Sequence, residues 1–486
     1  MEVIKITGMF FFRHILLLNL LLAVVIVFFE RRSPKSVWAW LLLLFFIPVV
    51  GFVFYLLLGT DLRKRKIFRA KEFQDNIQET LRRQEFFLKS VDMETVDTEF
   101  SKYTDLVLYN MKTSGAVLSS DNDVEIVTDG NILFEKMLED MRGATTFIHI
   151  QYYIIRDDML FKRILQVCEE KVKQGVEVRI LFDAMGCRTV SGRLWKKVEE
   201  MGIAVAEFFP ALFGRFHLRM NYRNHRKLVV IDNKIGYLGG FNVGKEYIGL
   251  DDKFGYWRDT HLRIVGGAVA GLEFRFLMDW NYAAGESLFE NRKYYRLPPS
   301  GESDLCKVQI ISSGPDNGDL QIRNNYLRLI HKARKSIYIQ TPYFVPDEAI
   351  LDSLLIAIRS DVEVNIMIPC MPDHPFVYWA TYSYIGDLVM AGAKCYTYDN
   401  GFLHAKGMVV DSSVFCYGTA NMDIRSFALN FEVNAVVYDE KKALEMEEIF
   451  RKDLEYCTQI TKDFYAGRPL GLRIKEQVSR LLSPLL

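Results

Sequence analysis

A polar motif that occurs twice with the same internal spacing constrains this chain more than any other feature of its sequence. The first copy spans His225 to Asn242 and the second spans His404 to Asn421, and each reads His-x-Lys, then Asp, then Gly-x-x-Asn. One copy alone is a weak signal, because an edge strand with a solvated basic end has the same pattern. Two copies in one register indicate an internal duplication.

The sequence around the two motifs also repeats, as an alternation of strand and helix patterns. Each half has a strand, a helix and a second strand before its motif: 146–153, 158–174 and 176–182 in the first half, and 336–344, 347–359 and 362–368 in the second. Apolar residues recur with a period near two in the strands and near 3.6 in the helices. We therefore predict an α/β fold with two tandem α/β/α halves related by pseudo-twofold symmetry.

The residue types in the duplicated motif suit chemistry at phosphorus. Side chains alternate in extended chain, so each motif places its histidine and its lysine on one face. Two half-sites that meet bring two histidines, two lysines and two asparagines around one point. Because imidazole has an ordinary pKa near ~6.5, one histidine can be neutral and nucleophilic while the other is cationic and acidic. The pattern predicts an enzyme that acts by double displacement.

Two long apolar runs occupy the N-terminus. Ile15–Phe29 is interrupted only by Asn19, and Val37–Gly59 is bordered by aromatic residues; each run approaches the ~20 residues that a bilayer demands. A signal peptide is the alternative, and it is disfavoured because no small-x-small cleavage site follows Phe29 and a second apolar run comes after it. We predict a two-helix transmembrane hairpin ahead of the duplicated halves.

Basic residues are distributed unequally about this hairpin. The connecting loop holds Arg31, Arg32 and Lys35, whereas the other side holds Lys5, Arg13, Arg63, Lys64, Arg65, Lys66, Arg69 and Lys71. The side with more basic residues faces the cytoplasm in most membrane proteins. We therefore expect a multi-pass protein whose catalytic domain lies on the cytoplasmic face.

These patterns divide the chain into four parts. The predicted parts are a transmembrane hairpin (1–60), a basic, helical connector (61–120), a first half (121–296) and a second half with a C-terminal amphipathic tail (302–486). The Pro/Gly/Ser stretch 297–301 suits a linker between the halves. The tail carries Leu472, Ile474 and Val478 beside charged residues, and either lies on the membrane or closes over the domain.

Composition excludes some partners. The chain has 61 basic and 61 acidic residues, so net charge identifies no partner, and without an extended basic stripe nucleic acid is disfavoured. Seven cysteines include no C-x-x-C pair, which favours buried, reduced thiols. A non-catalytic membrane scaffold is disfavoured because it has no need for two intact motifs. The aromatic and basic stretch 208–219 suits either insertion into an anionic interface or a packing loop.

The paired H-x-K-x4-D-x6-G-[GST]-x-N motifs resemble the phospholipase D superfamily. The segments 221–227, 254–259, 340–344 and 430–434 are similar to bacterial cardiolipin synthases in particular. The resemblance implies a phosphatidyltransferase of the bacterial cell membrane that joins two phosphatidylglycerol molecules into cardiolipin and releases glycerol, with no metal or cofactor. It implies phosphatidylglycerol and anionic membrane lipids as partners and leaves the oligomeric state open. A phospholipase D-type hydrolase, or a transferase using another donor such as phosphatidylethanolamine, stays open too.

The resemblance also assigns roles to individual residues. It implies a catalytic set of His225, Lys227, Asp232, His404, Lys406 and Asp411. Among these, Lys227 and Lys406, together with Asn242 and Asn421, match the phosphate-binding positions. His225 is expected to be the nucleophile, and the reverse assignment to His404 stays open.

The carboxylates require a separate argument. Asp232 and Asp411 follow their histidines at the far end of an apolar strand, where an aspartate can instead anchor the strand end. Asp259 and Glu432 are better placed to orient the imidazoles by accepting from Nδ1. Their alternative interpretation is a structural ion pair.

Overall fold

The computed structural model describes residues 2–28, 34–58, 82–86, 88, 98–210, 222–288, 291–295 and 305–483. The predicted linker 297–301, most of the stretch 208–219, the basic residues 63–71 and much of the connector 61–120 lie outside the described residues. The chain divides into two compact units. One comprises Met1–Lys64 and Phe209–Tyr222, and the other comprises Arg65–Phe208 and Arg223–Leu486.

In its described residues the smaller unit has the helices α1 (Glu2–Phe28), α2 (Pro34–Phe46) and α3 (Pro48–Leu58). The expectation of a single helix over Val37–Gly59 is therefore wrong, because the helix is interrupted at Ile47. Proline has no N–H to donate and disfavours helical geometry in the residue before it, so Pro48 starts a new helix. Within the residues that the structure describes, no helix is both long and apolar enough to cross a membrane.

Asn19, the one polar residue in the first apolar run, compensates for this break. In a continuous helix the N–H of residue 48 would donate to the carbonyl oxygen of Leu44. Asn19 Nδ2 donates to that Leu44 oxygen at 3.1 Å, and to the Pro48 oxygen at 3.0 Å. The amide satisfies a carbonyl that the proline leaves without its helical donor, and it joins α1 to both α2 and α3.

In the part that the structure describes, the larger unit is built on one 16-stranded mixed sheet with helices packed on it. The strands of its first half are β1 (Leu118–Val127), β2 (Phe147–Tyr152), β3 (Glu177–Asp183), β4 (Ala204–Phe208), β5 (Arg223–Asn224), β6 (Leu228–Ile231), β7 (Ile235–Gly239), β8 (Trp257–Arg258) and β9 (His261–Val265). Those of its second half are β10 (Cys306–Ser313), β11 (Ser336–Gln340), β12 (Phe344–Val345), β13 (Glu363–Pro369), β14 (Lys394–Tyr398), β15 (Phe402–Leu403), β16 (Gly407–Val410), β17 (Val414–Gly418), β18 (Met422–Asp423), β19 (Asn430–Tyr438) and β20 (Cys457–Ile460).

The helices follow the same division. Before and within the first half they are α4 (Thr98–Ser101), α5 (Thr104–Ser114), α6 (Gly130–Arg142), α7 (Met159–Lys173), α8 (Gly192–Glu200) and α9 (Val269–Ala284). In the second half they are α10 (Gln321–Lys332), α11 (Glu348–Arg359), α12 (Pro375–Ala391), α13 (Ile424–Ala428), α14 (Glu440–Asp453), α15 (Lys462–Ala466) and α16 (Leu470–Leu481). Equivalent aspartates begin equivalent helices: Asp158 caps α7 and Asp347 caps α11 by accepting backbone N–H groups of the first turn.

Equivalent strands of the two halves follow one another in the same order outward from the centre of the sheet. Outward from β1 it runs β9, β7, β6, β2, β3, β4, and outward from β10 it runs β19, β17, β16, β11, β13, β14, with β20 beyond. At the centre β1 and β10 pair antiparallel, with Leu118 opposite Gln309. The predicted mixed α/β fold is confirmed, and the two halves share one continuous sheet.

The connector predicted over 61–120 contains part of this core. β1 begins inside it at Leu118, where the run Ser-Ser-Asp-Asn-Asp conceals the strand pattern. Asn122 is buried, and its Nδ2 donates to the Cys306 oxygen at 3.1 Å. Leu106 of α5 packs in the apolar core of the second half. Where β1 meets β10, polar side chains that bind buried backbone groups therefore take positions at which a strand usually has apolar residues.

The motif aspartates Asp232 and Asp411 lie in the tight turns that join β6 to β7 and β16 to β17. Both have a left-handed backbone, with φ of 54° and 51°, which aspartate tolerates better than most residues in a turn. Asp232 accepts from the backbone N–H groups of Thr145, Thr146 and Phe147 at 2.7–2.9 Å. Asp411 accepts in the same way from residues 334–336.

Asp232 and Asp411, which the resemblance assigns to the catalytic set, make these contacts away from the motif histidines. Each carboxylate binds the chain entering the neighbouring strand, β2 or β11, and the turn lies at the opposite end of β6 or β16 from the motif histidine. The alternative that they anchor strand ends agrees with this geometry. The motif aspartate thus stabilises the scaffold that carries the histidine.

We expect Asp232→Ala to lower the free energy of unfolding by about 2–4 kcal/mol, because three N–H groups lose their acceptor and alanine disfavours a left-handed turn. Asp232→Asn is the matched control, since it keeps the turn preference and one acceptor, and we expect a smaller loss. Burial opposes ionisation of Asp232, but the N–H groups outweigh it and lower its pKa. Its stabilisation is therefore present above the ordinary carboxyl pKa and is lost as pH falls through the lowered one.

Thermal unfolding between pH 7 and pH 3 measures both effects. An alanine variant that unfolds like the wild type but has lost its turnover would restore a catalytic role to Asp232.

Candidate active site

Each motif histidine lies in a three-residue segment between a two-residue strand and the strand that carries its motif into the core. The two-residue strand comes from one half and pairs with the other: β5 pairs parallel with β19, and β15 pairs parallel with β8. The N–H of His225 donates to the Phe431 oxygen at 3.0 Å, and that of His404 donates to the Arg258 oxygen at 2.7 Å. Each histidine is therefore fixed to the half that does not contain it.

This crossing decides which carboxylate each imidazole meets. His225 Nδ1 lies 2.9 and 3.0 Å from the two carboxylate oxygens of Glu432. His404 Nδ1 lies 2.5 Å from Asp259 Oδ2. An ionised carboxylate only accepts hydrogen bonds, so Nδ1 carries the proton in each imidazole and the lone pair of the neutral ring lies on Nε2.

The two carboxylates are held differently. Asp259 lies against Gly240, where a Cβ would be 1.9 Å from Asp259 Oδ1, and it accepts from the Thr260 N–H at 2.8 Å. In the second motif Thr419 replaces this glycine, and its hydroxyl donates to Glu432 Oε2 at 2.5 Å. Glycine is thus required beside Asp259 by close approach, whereas threonine contributes a hydrogen bond that orients Glu432.

The motif lysines are fully buried within the same cluster. Lys227 Nζ donates to the His225 carbonyl oxygen at 2.7 Å. Lys406 Nζ donates to the His404 carbonyl oxygen, and it lies 2.8 Å from His404 Nδ1 and 3.6 Å from Asp259 Oδ2. Burial lowers the pKa of Lys406 to about 8 and lowers that of Lys227 well below its ordinary value. An anion bound beside them would restore their charge.

Burial also lowers the pKa of each motif histidine to about 4. The carboxylates oppose this shift, and lysine charges add to it, including the charge of Lys406 on His225 and that of Lys227 on His404. The two half-sites therefore share one electrostatic environment. Burial thus disfavours the charged form of both histidines in the free protein.

The carboxylates stay ionised in this environment. Burial opposes their ionisation, but the neighbouring histidine and lysine outweigh it and hold the pKa of Asp259 and of Glu432 below its ordinary value.

The motif asparagines follow β7 and β17, and both are buried. Asn242 Oδ1 accepts from the Ile154 N–H at 3.1 Å, and its Nδ2 donates to the Tyr247 hydroxyl at 3.2 Å. The Oδ1 of Asn421 has no hydrogen-bond partner in the described part of the chain. Each imidazole also packs edge-on against an aromatic ring. The ring centres of Tyr153 and His225 are 4.9 Å apart, and those of Trp257 and His404 are 5.0 Å apart.

Two buried arginines that the sequence did not single out support the site. Arg226 Nη1 donates to both oxygens of Asp279 at 2.6 Å, and its Nε donates to the Glu432 carbonyl oxygen at 3.2 Å. Arg258 donates from Nε and Nη2 to the carboxylate of Asp453 at 3.0 and 2.6 Å. Each arginine is adjacent in sequence to a site residue, so its ion pair with both oxygens of a buried carboxylate fixes the backbone there.

The duplication contains a signal that identifies these carboxylates. Asp279 lies within α9 and Asp453 ends α14, and a glutamine from the equivalent strand, Gln151 or Gln340, donates to each at 2.6 and 2.8 Å. The arginines are harder to detect, since Arg226 and Arg258 have the non-polar Ala405 and Phe431 as counterparts.

Comparisons with known proteins agree with this arrangement. The family described as "Cardiolipin synthase, PLD-like domain" matches residues 137–254 and 326–454, and the family "Phospholipase_D-nuclease N-terminal" matches residues 17–59. The chain is 47% identical to a cardiolipin synthase of Oceanobacillus iheyensis, covering 94% of this chain and 95% of the relative. It is 46% identical to the major cardiolipin synthase ClsA of Bacillus subtilis, covering 99% of each.

A solved structure shares the fold. The phosphatidylserine synthase of Haemophilus influenzae matches with a TM-score of 0.58 at 14% identity, over 74% of this chain and 93% of that chain.

The crossed pairing predicts a selective effect of Glu432→Gln. The variant replaces the charged carboxylate that faces Nδ1 of His225 with a neutral amide. We therefore expect the ¹⁵N resonances of the His225 imidazole to move while those of His404 stay in place. Asp259→Asn should produce the reverse. The chain has eight histidines, so ¹⁵N-histidine NMR can resolve and assign them. If Glu432→Gln moved the His404 resonances instead, the crossed pairing would be wrong.

Proposed function

This chain belongs to the cardiolipin synthases of the phospholipase D superfamily, and we propose that it transfers a phosphatidyl group from one phosphatidylglycerol molecule to another, giving cardiolipin and glycerol. The observation that carries the proposal is the crossed pair of imidazole–carboxylate contacts, His225 with Glu432 and His404 with Asp259. Two lysines buried beside them are suited to hold a phosphodiester.

In the first step His225 is the nucleophile. Glu432 holds the proton on Nδ1, so the lone pair of Nε2 attacks phosphorus and forms a P–N bond. The bond from phosphorus to the glycerol oxygen breaks, and His404 donates a proton to that oxygen from Nε2. The lysines and the two motif asparagines stabilise charge on the phosphoryl oxygens.

In the second step His404 is the base. It takes the proton from a glycerol hydroxyl of the second phosphatidylglycerol, whose oxygen attacks phosphorus. The P–N bond breaks, the electron pair returns to Nε2 of His225, and cardiolipin leaves. Because both histidines are mostly buried, water has limited access to the phosphohistidine, which favours transfer over hydrolysis.

The proton that His404 donates in the first step is taken up when the substrate binds. Burial lowers the pKa of both histidines in the free protein, which disfavours the protonated form of each. A phosphodiester places a negative charge among these groups and raises every nearby pKa, which favours a protonated His404. Substrate binding and proton uptake are therefore coupled.

We also propose that α1 to α3 anchor the chain in the bacterial cell membrane as a hairpin, with the catalytic domain on the cytoplasmic face. The N-terminal family match over 17–59 and the two apolar runs support this. α1 also leaves Leu17, Leu20 and Leu21 largely exposed, as suits apolar surroundings. The division into 1–60, 61–120, 121–296 and 302–486 is proposed on the same basis.

We expect His225→Ala and His404→Ala each to lower synthesis at least about 10³-fold, because both act in one covalent cycle. Mass analysis of products from labelled phosphatidylglycerol measures cardiolipin and glycerol. His331→Ala is the control, since His331 contacts Ser353 outside the site. Acid quenching during turnover should trap a phosphatidyl adduct on His225.

Three results would contradict parts of this mechanism. Near wild-type synthesis by either alanine variant would exclude a two-histidine cycle. An adduct on His404 would reverse the roles, and phosphatidic acid as the sole product would indicate a hydrolase.

We expect a chain that begins at Lys71 to lose about 10²-fold activity on bilayer vesicles but only about threefold in mixed micelles. The predicted anchor raises the effective concentration of lipid at the site without altering the chemical barrier. Thermal unfolding of the same preparation is the control for folding. An equal loss in both assays would show that residues 1–70 act on the site itself.

A further inference from the structure

The C-terminal helix α16 presents its apolar residues outward and its polar residues inward. Glu476 and Ser479 are 0% and 2% exposed. The exposed apolar side chains are Leu470 at 72%, Ile474 at 55%, Val478 at 50% and Leu481 at 81%. A helix at an ordinary water-facing surface has the opposite arrangement, with its apolar face buried.

The outward residues form a continuous stripe. At about 100° per residue, Leu470, Ile474, Val478 and Leu481 fall within roughly 80° of helix circumference. Glu476 and Ser479 fall on the opposite side, where α16 packs on α12. The stripe is therefore one face and not a scatter of single exposed residues.

Ion pairs fix this orientation of α16. Glu476 pairs with Arg468 at 2.9 Å, and the Arg468 guanidinium lies 3.1 Å from the centre of the Tyr465 ring. Arg480 pairs with Asp387 on α12 at 2.7 Å. Rotating the helix to bury its leucines would separate both ion pairs.

Basic residues flank the stripe on both sides. Arg473 lies on one side and Lys475 on the other, and both are exposed. An apolar face bordered by basic residues is the pattern of helices that lie in the interface of an anionic membrane, with the basic groups at the headgroups. A second copy of the chain fits less well, because two such faces would bring like charges together.

We propose that this stripe, Leu470–Ile474–Val478–Leu481, docks the larger unit on the surface of an anionic bilayer. The apolar side chains enter the boundary between headgroups and acyl chains, and Arg473 and Lys475 contact lipid phosphates. This contact is separate from the anchor proposed for α1 to α3, and it does not depend on the chemistry of the active site.

Photocrosslinking of the full-length chain identifies the occupant without requiring turnover. A benzophenone amino acid replaces Ile474 in protein reconstituted into vesicles of phosphatidylglycerol and phosphatidylcholine. We expect lipid adducts by mass spectrometry, at least about tenfold more than from the same group at Ile132, an exposed apolar residue on α6. A crosslinked dimer, or no excess over Ile132, would overturn the proposal.

Activity supplies a second readout. We expect the full-length Ile474→Ser/Val478→Ser variant to make cardiolipin about tenfold more slowly on phosphatidylglycerol vesicles and within about twofold of wild type in mixed micelles. Ile132→Ser should match wild type in both assays. Equal losses of the double variant in both assays would show that the stripe supports folding instead. A wild-type protein that makes no cardiolipin would refute the proposed function and leave the crosslinking result intact.

Discussion

The crossed contact between each imidazole and a carboxylate of the other half is the interaction on which the site depends. It follows from two short parallel pairings, β5 with β19 and β15 with β8, which join the segment before each histidine to the segment that carries the opposite carboxylate. For each of the two motif histidines, one half supplies the imidazole and the other half supplies the carboxylate. The duplication therefore yields one site, to which both halves contribute.

Burial gives this site its electrostatic character. Two lysines, two carboxylates and two imidazoles lie together with little access to water, which lowers the pKa of the lysines and the histidines. Such a cluster is costly in the free protein and becomes favourable when a phosphate anion enters. The ion pairs Arg226–Asp279 and Arg258–Asp453 provide the rigid, fully bonded surroundings that hold these groups in place.

Several features depart from sequence expectation for local physical reasons. Asn19 lies in an apolar helix because Pro48 leaves the Leu44 carbonyl without its helical donor. β1 was hidden by its polar residues, which bind backbone groups where the halves join. The amphipathic pattern of the C-terminal tail was visible, but its orientation was not, since ion pairs with residues outside the helix decide which face is buried.

The sequence by itself determined the duplication, the alternation of strand and helix, the family resemblance and the identity of the motif residues, because periodicity and spacing are local properties of a chain. It also indicated Asp259 and Glu432 as partners of the histidines and raised the anchoring alternative for Asp232 and Asp411. Only the tertiary structure decided that each carboxylate meets the histidine of the opposite half, that burial lowers the pKa of both histidines, and that Arg226 and Arg258 brace the site. Those outcomes depend on strand pairings between residues more than 140 positions apart and on burial, which no local pattern records.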